Sequence, residues 1–152
     1  MEVITSHIQA DFDAFASMIA AKMLHPEALL VFPGAQEKNL RDYIARAPEE
    51  ITEYIAKQKK VELKAITRLI IVDTRQFSRI GDFSGIHNQQ FLEVIIYDHH
   101  PPSDDDIQGD SQHCVELGSN IALMLDILKQ KGMTPTPAQA TVMAMGGYED
   151  TG

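Results

Sequence analysis

Asp98-His99-His100 follow directly on the apolar run Val94–Tyr97, and Pro101-Pro102 come next. A carboxylate and two imidazoles add nothing to a hydrophobic core, so their place at the end of such a run calls for a chemical reason. Similar side chains stand at similar places elsewhere. His7, Asp11 and Asp13 come after Val3-Ile4, Asp73 closes "RLIIVD", and Asp150 follows the last helical stretch. Carboxylates and imidazoles without thiolates form a ligand set suited to Mn, Mg or Co rather than to a structural zinc site. Crowded carboxylates repel one another, and bound cations relieve that repulsion. Two ions sharing one strand-end carboxylate are suited to in-line attack on phosphorus.

Only particular elements would gather residues so far apart in the chain. Val3-Ile4 open a short strand, and Ala28 to Gly34 read as a buried strand closed by a Pro-Gly turn. Arg68 to Thr74 and Phe91 to Asp98 are compact β-branched runs, the pattern of strands buried on both faces. "HCVEL" reads as a fifth strand. Between them, helices are predicted from Ala14 to Leu24, over residues 39–59 with a break at Pro48, and in part of 77–90. Two more run from Asn120 to Lys131, stopped by Gly132, and from Thr136 to Met145, with Pro137 in the first turn. This alternation predicts a doubly wound α/β domain: a mostly parallel five-stranded sheet of order 2-1-3-4-5 with helices on both faces. Ligands bind such sheets at the carboxyl ends of the strands, near the switch in strand order. That order brings the residues after strands one, three and four together, with Asp150 approaching from the side.

At 152 residues the chain suffices for one domain with a sizeable core. No apolar stretch approaches the ~18 residues that would span a bilayer, and "MEVITSH" shows no secretory signal. Cys114 is the sole cysteine, which excludes an intrachain disulfide framework and a thiolate zinc cage. A cytoplasmic protein is expected. The net charge of −9 argues against a broad footprint on duplex DNA. Two divalent cations would reduce that charge to −5, so a small phosphorylated substrate or a short single-stranded nucleic acid remains compatible. The sequence stops at "GGYEDTG" without a polar tail, so residues 1–152 are expected to be the N-terminal part of a longer protein.

"SHIQADFDAFAS", "IIVDT", "YDHHP" and "YEDTG" resemble, in order, the four motifs of the DHH phosphoesterase superfamily. That group includes family II inorganic pyrophosphatases, RecJ-like exonucleases, exopolyphosphatases and phosphodiesterases of short oligonucleotides or cyclic dinucleotides. The resemblance covers nearly the whole chain. "ADFDAFASMIAAKML" and "LVFPGAQEKNLRDY" further resemble the N-terminal module of large bacterial proteins that join a DHH domain, CBS domains and a tRNA nucleotidyltransferase or poly(A) polymerase-like region.

The resemblance implies that His7, Asp11 and Asp73 hold one metal ion, and that Asp13, Asp73, His99 and Asp150 hold a second, with Asp73 bridging. Manganese is the first expectation, magnesium or cobalt the others. It further implies that His100 faces the substrate and that Asp98 orients a neighbouring histidine, the two being the catalytic pair. The implied activity is hydrolysis of a phosphodiester or phosphoanhydride by two-metal activation of water. One departure stands out: relatives bind substrate against a smaller C-terminal domain, for which this sequence has no residues. The alternative is a non-catalytic module that senses a nucleotide or phosphate and regulates further domains of the same chain.

Plainer roles exist for each residue. Asp11 and Asp13 would also serve as helix caps, Asp73-Thr74 as a strand-to-turn transition, Asp150 as a loop acid, and His99 and His100 as surface residues. Among the arginines, Arg41, Arg75 and Arg79 are candidates for a fixed cation beside a phosphate site. Arg75, two residues past Asp73, is preferred for substrate binding, against a solvated arginine at the strand end. Asp104-Asp105-Asp106 read as an exposed acidic loop, and His25, His87 and His113 have no assignable task. Cys114 reads as a small buried hydrophobe. Met18, Met23, Met124, Met143 and Met145 read as core filling.

Overall fold

Five parallel strands form one sheet: β1 (Glu2–Thr5), β2 (Leu29–Leu30), β3 (Arg68–Val72), β4 (Glu93–Asp98) and β5 (Ser111–Cys114). Their order is β2-β1-β3-β4-β5, as the sequence predicts. The structure, a computed structural model, describes residues 1–151, except for the side chains of Gln58, His87, Asn88, Glu149, Asp150 and Thr151. The helices are α1 (Phe12–Leu24), α2 (Lys38–Ile44), α3 (Glu49–Thr52), α4 (Asn120–Gln130) and α5 (Pro137–Thr151).

The apolar runs of β3 and β4 are continuous because both faces of the sheet are covered. Ile4, Ile70, Val72, Ile95 and Tyr97 point into a core shared with α1, α4 and α5. Val3, Leu69, Ile71, Val94 and Ile96 point the other way, onto Ile66, Ile80, Phe83, Ile86 and Ile107. Each such side chain contributes roughly 1.5–3 kcal/mol of burial. The helical cover of this second face is built largely of 3-10 turns at 77–79 and 81–88 rather than long α-helices. Gly81 has a φ of +57°, and a Cβ there would stand 2.6 Å from the Pro33 carbonyl oxygen, so the chain kinks where a continuous helix would not fit.

Two other expectations are corrected along the chain. The buried strand read over residues 28–34 is regular only at Leu29–Leu30, and the helix expected through residue 59 stops at Thr52. Both follow from the edge of the sheet. The N–H of Leu30 donates to Tyr54 O at 2.9 Å and that of Ala56 to Leu30 O at 2.8 Å. A short extended segment therefore satisfies the outer side of β2, where a helix would leave it unpaired.

The ends of the strands are level, with Thr5 paired to Ile71 and Val72 to Tyr97. Hydroxyls reinforce this rim. Ser6 Oγ donates to Val72 O and Thr5 Oγ1 to Val31 O, both at 2.7 Å. α5 starts at Pro137 behind a reciprocal cap, Thr136 N to Gln139 Oε1 at 2.9 Å and Gln139 N to Thr136 Oγ1 at 3.2 Å. It continues well past the predicted end at Met145. Gly146 lets it lie directly on the first turn of α1, where a Cβ would meet Ala16 Cβ at 2.8 Å and Phe12 O at 3.0 Å.

Candidate metal centre

Asp73 is the first residue beyond β3, and its φ of +62° turns the chain sharply while its N–H still donates to Tyr97 O at 2.9 Å. The left-handed conformation costs most residues roughly 1–2 kcal/mol and is tolerated by Asp and Asn. It sets a carboxylate, 3% exposed, over the middle of the strand ends.

Histidines flank it on both sides. His7 Nε2 lies 3.2 Å from Asp73 Oδ2 and His99 Nε2 lies 3.0 Å from Asp73 Oδ1. The second contact is close without being aligned as a hydrogen bond, so Asp73 Oδ1 is a buried acceptor with no proper donor. Each histidine is anchored through its other nitrogen: His7 Nδ1 is 2.9 Å from Ile8 O, His99 Nδ1 is 2.9 Å from Leu117 O, and His100 Nδ1 is 2.7 Å from Asp98 Oδ1. A proton held on Nδ1 leaves the lone pair on Nε2, the orientation of a ligating imidazole. One ligand atom each from His7, Asp11 and Asp73 lie within 4.8 Å of one another, and the same holds for Asp73, His99 and His100.

Without cations, Asp73 and its two imidazoles shift one another's proton affinity. The Asp73 carboxylate beside His99 pushes that imidazole up to about 9, against the opposing effect of burial. Burial alone would lower His7, but the hydrogen bond and charge of Asp73 leave it above its ordinary value. Burial would raise Asp73, yet the two imidazoles hold it below the usual carboxylate range.

The other acids are placed more variously. Asp11 caps α1, accepting Ala14 N at 2.9 Å, and also belongs to the His7 group. Asp13 caps a different helix from the one that follows it: its oxygens accept Asn120 N at 3.0 Å and Ile121 N at 2.8 Å at the start of α4. Its Oδ2 is 3.8 Å from His99 Nε2, so it adjoins the cluster while holding α4 to α1. Asp150 belongs to α5, but its side chain lies outside the described residues.

Asp98 is 1% exposed and orients His100. Arg75 runs behind the same turn, with Nε 3.5 Å from Asp98 Oδ2 and 3.2 Å from Asp106 Oδ2, and Nη2 donating to His100 O at 3.1 Å. The loop after the prolines is therefore more than a solvated acidic run. Asp106 pairs with Arg75, and Asp105 accepts Ser78 N at 3.0 Å and Ser78 Oγ at 2.6 Å. Arg79 Nη2 lies 3.2 Å from His7 Nδ1. Arg41 is exposed on α2, away from these contacts. The anchors Ile8 O and Leu117 O were invisible in the sequence, because any residue type supplies a backbone carbonyl.

A buried, incompletely satisfied carboxylate between two imidazoles whose Nε2 atoms face it fits divalent cations. A groove of about 510 Å³ between α4 and α5, lined by Leu125, Met143 and Tyr148 among others, offers no carboxylate or imidazole among the described residues.

Comparisons with known proteins bear on the family and the fold. The chain is 40% identical over 152 residues to an A-adding tRNA nucleotidyltransferase of Geobacter sulfurreducens and spans 17% of that relative's length. An exopolyphosphatase-related protein from Bacteroides fragilis has a similar fold, with a TM-score of 0.77 at 20% identity over 99% of this chain and 46% of the other. RecJ from Thermus thermophilus, solved in complex with Mn2+, matches with a TM-score of 0.51 at 16% identity over 95% of this chain and 21% of its own. Residues 2–146 match the DHH family, N-terminal domain, and the chain belongs to that family.

Proposed function

We propose that this chain is a divalent-metal-dependent phosphoesterase domain that hydrolyses a phosphodiester or phosphoanhydride. The observation that carries the reading is the arrangement at Asp73: a buried carboxylate with one oxygen lacking an aligned donor, between the Nε2 atoms of two imidazoles whose Nδ1 atoms are tied to carbonyls. His7, Asp11 and Asp73 would hold one ion. Asp73 and His99 would hold a second, with Asp13 and Asp150 completing its shell. Manganese is preferred because RecJ, of similar fold, was solved with Mn2+; magnesium and cobalt suit the same donors. Two such ions supply neutralisation of the phosphoryl oxygens and lower the pKa of water.

The chain's own groups do the rest. His100, with its side chain 45% exposed and Nδ1 on Asp98, can hold a proton on Nε2 for the leaving oxygen. Asp98, ringed by His100 and Arg75, keeps that imidazole in one orientation. Substrates with a bridging phosphate fit this chemistry: short single-stranded oligonucleotides, polyphosphate or similar small molecules.

The test is turnover by Mn2+-loaded protein on a simple phosphodiester and on short oligonucleotides, beside D73N. Wild type should hydrolyse at least one of them and hold Mn2+, while D73N should lose both properties. A wild-type protein that binds two ions and hydrolyses nothing would support the second reading instead. In that reading the domain senses a nucleotide or phosphate within a longer chain. The Geobacter relative, named for tRNA nucleotidyl transfer and only 17% covered by this chain, favours it.

A further inference from the structure

We propose that Arg79, rather than Arg75, is the cation that receives the substrate's phosphate, an inference resting on the phosphoesterase reading above. Both arginines line one cavity of about 290 Å³ together with Gln76, His100 and Ser103. That is the small end of ligand pockets, which run from about 300 Å³ upwards, and it suits a phosphate with the first atoms of its substituent. The two guanidiniums differ in what already occupies them. Arg75 stands against two carboxylates, Asp98 and Asp106, and donates to the carbonyl of His100, with its side chain only 12% exposed. Its charge is offset by those two carboxylates, and its Nη2 is taken by the His100 carbonyl. Arg79 forms no ion pair with a carboxylate among the described residues. Its contact with another side chain there is Nη2 to His7 Nδ1, at 3.2 Å.

That contact cannot persist alongside a ligating His7. Nδ1 stands between a donor, Arg79, and an acceptor, Ile8 O at 2.9 Å, and can satisfy one of them. When Nε2 offers its lone pair to a cation, Nδ1 carries the proton and bonds Ile8 O. The Arg79 Nη2 donor is then released from His7, beside the residues that would hold the metal. The turn that carries it is well fixed: Ile8 N donates to Arg79 O at 2.8 Å, and Gly81 packs against Pro33 just beyond. An anion entering a chain of net charge −9 needs a cation at the mouth of the site, and a guanidinium fork matches phosphate oxygens.

The experiment is a calorimetric titration with Mn2+ and then with inorganic phosphate, on wild type, R79A, R79K and R41A. R79A should weaken phosphate binding about ten- to hundredfold, the loss expected for a charge-assisted hydrogen bond. R79K should recover part of it, and R41A should bind phosphate as wild type does. Mn2+ stoichiometry should be the same in all four, with an affinity no weaker than that of wild type. Wild-type phosphate affinity in Mn2+-loaded R79A overturns the assignment of Arg79 and leaves the metal site standing. Loss of Mn2+ together with phosphate in R79A also overturns it, because Arg79 would then act by holding His7. Failure of wild type to take up Mn2+ overturns the metal reading, and this inference with it.

Discussion

The Asp73 carboxylate raises the pKa of both flanking imidazoles when no metal is bound, and this gives the metal-free protein a defined pH dependence. His99 has its folded-state pKa raised from 6.5 to about 9, so the pair stabilises the fold fully below about 6.5 and is lost as pH rises through about 9. Asp73 is lowered from 3.8, so its share is present above that value and fades as pH falls through its depressed folded-state pKa. In chelator-treated protein the stability difference between wild type and H99Q should therefore be largest between roughly pH 4 and 6.5 and vanish above about 9. Urea unfolding at a series of pH values measures it. A difference that stays constant from acid to alkaline conditions would show that His99 contributes by packing alone. His99 and Asp73 were legible as a pair in the sequence because both end β-branched runs. Their partners Ile8 O and Leu117 O were not, since carbonyls carry no residue identity.

Among the elements, α5 bears most directly on the site, because it brings the last part of the described chain across the first turn of α1. Its close approach depends on Gly146, whose absent side chain makes room for Ala16 and for the Phe12 carbonyl. G146A should force the helices apart and cost about 1–3 kcal/mol, the usual range for overpacking. The neighbouring G147A, where the nearest atom to an added Cβ is 3.9 Å away, should be neutral or stabilising by up to about 1 kcal/mol. Denaturant midpoints of the two variants distinguish packing from helix propensity, since propensity alone would make them alike. The same contact explains why α5 outruns its predicted end: two glycines look like a stop signal until α1 is there to receive them. Elements buried on both faces, β3 and β4, were readable from their unbroken apolar runs. β2 and the segment after Thr52 were not, because what shapes them is the pairing of Leu30 with Tyr54 and Ala56 across the sheet edge. The cap that Asp13 places on α4 joins residues more than a hundred positions apart, and no local signal announces it.

At the scale of the whole molecule, a chain of net charge −9 sets several of its carboxylates at one rim of its sheet, where bound cations would relieve their mutual repulsion. The elements meeting there, β1, β3, β4 and the start of α1, are also those that hold the core together. Metal binding should therefore appear in global stability and not just in a local loop. A ligand bound only by the folded state stabilises it by about 2.7 kcal/mol at a concentration of one hundred times its Kd. For a domain of this size that corresponds to a rise in Tm of roughly 5–10 °C. Saturating Mn2+ should produce such a rise in wild type, EDTA should reverse it, and D73N should show almost none. An equal rise in D73N would place the stabilising ion on exposed acids elsewhere, and the carboxylate over β3 would then have a structural role alone.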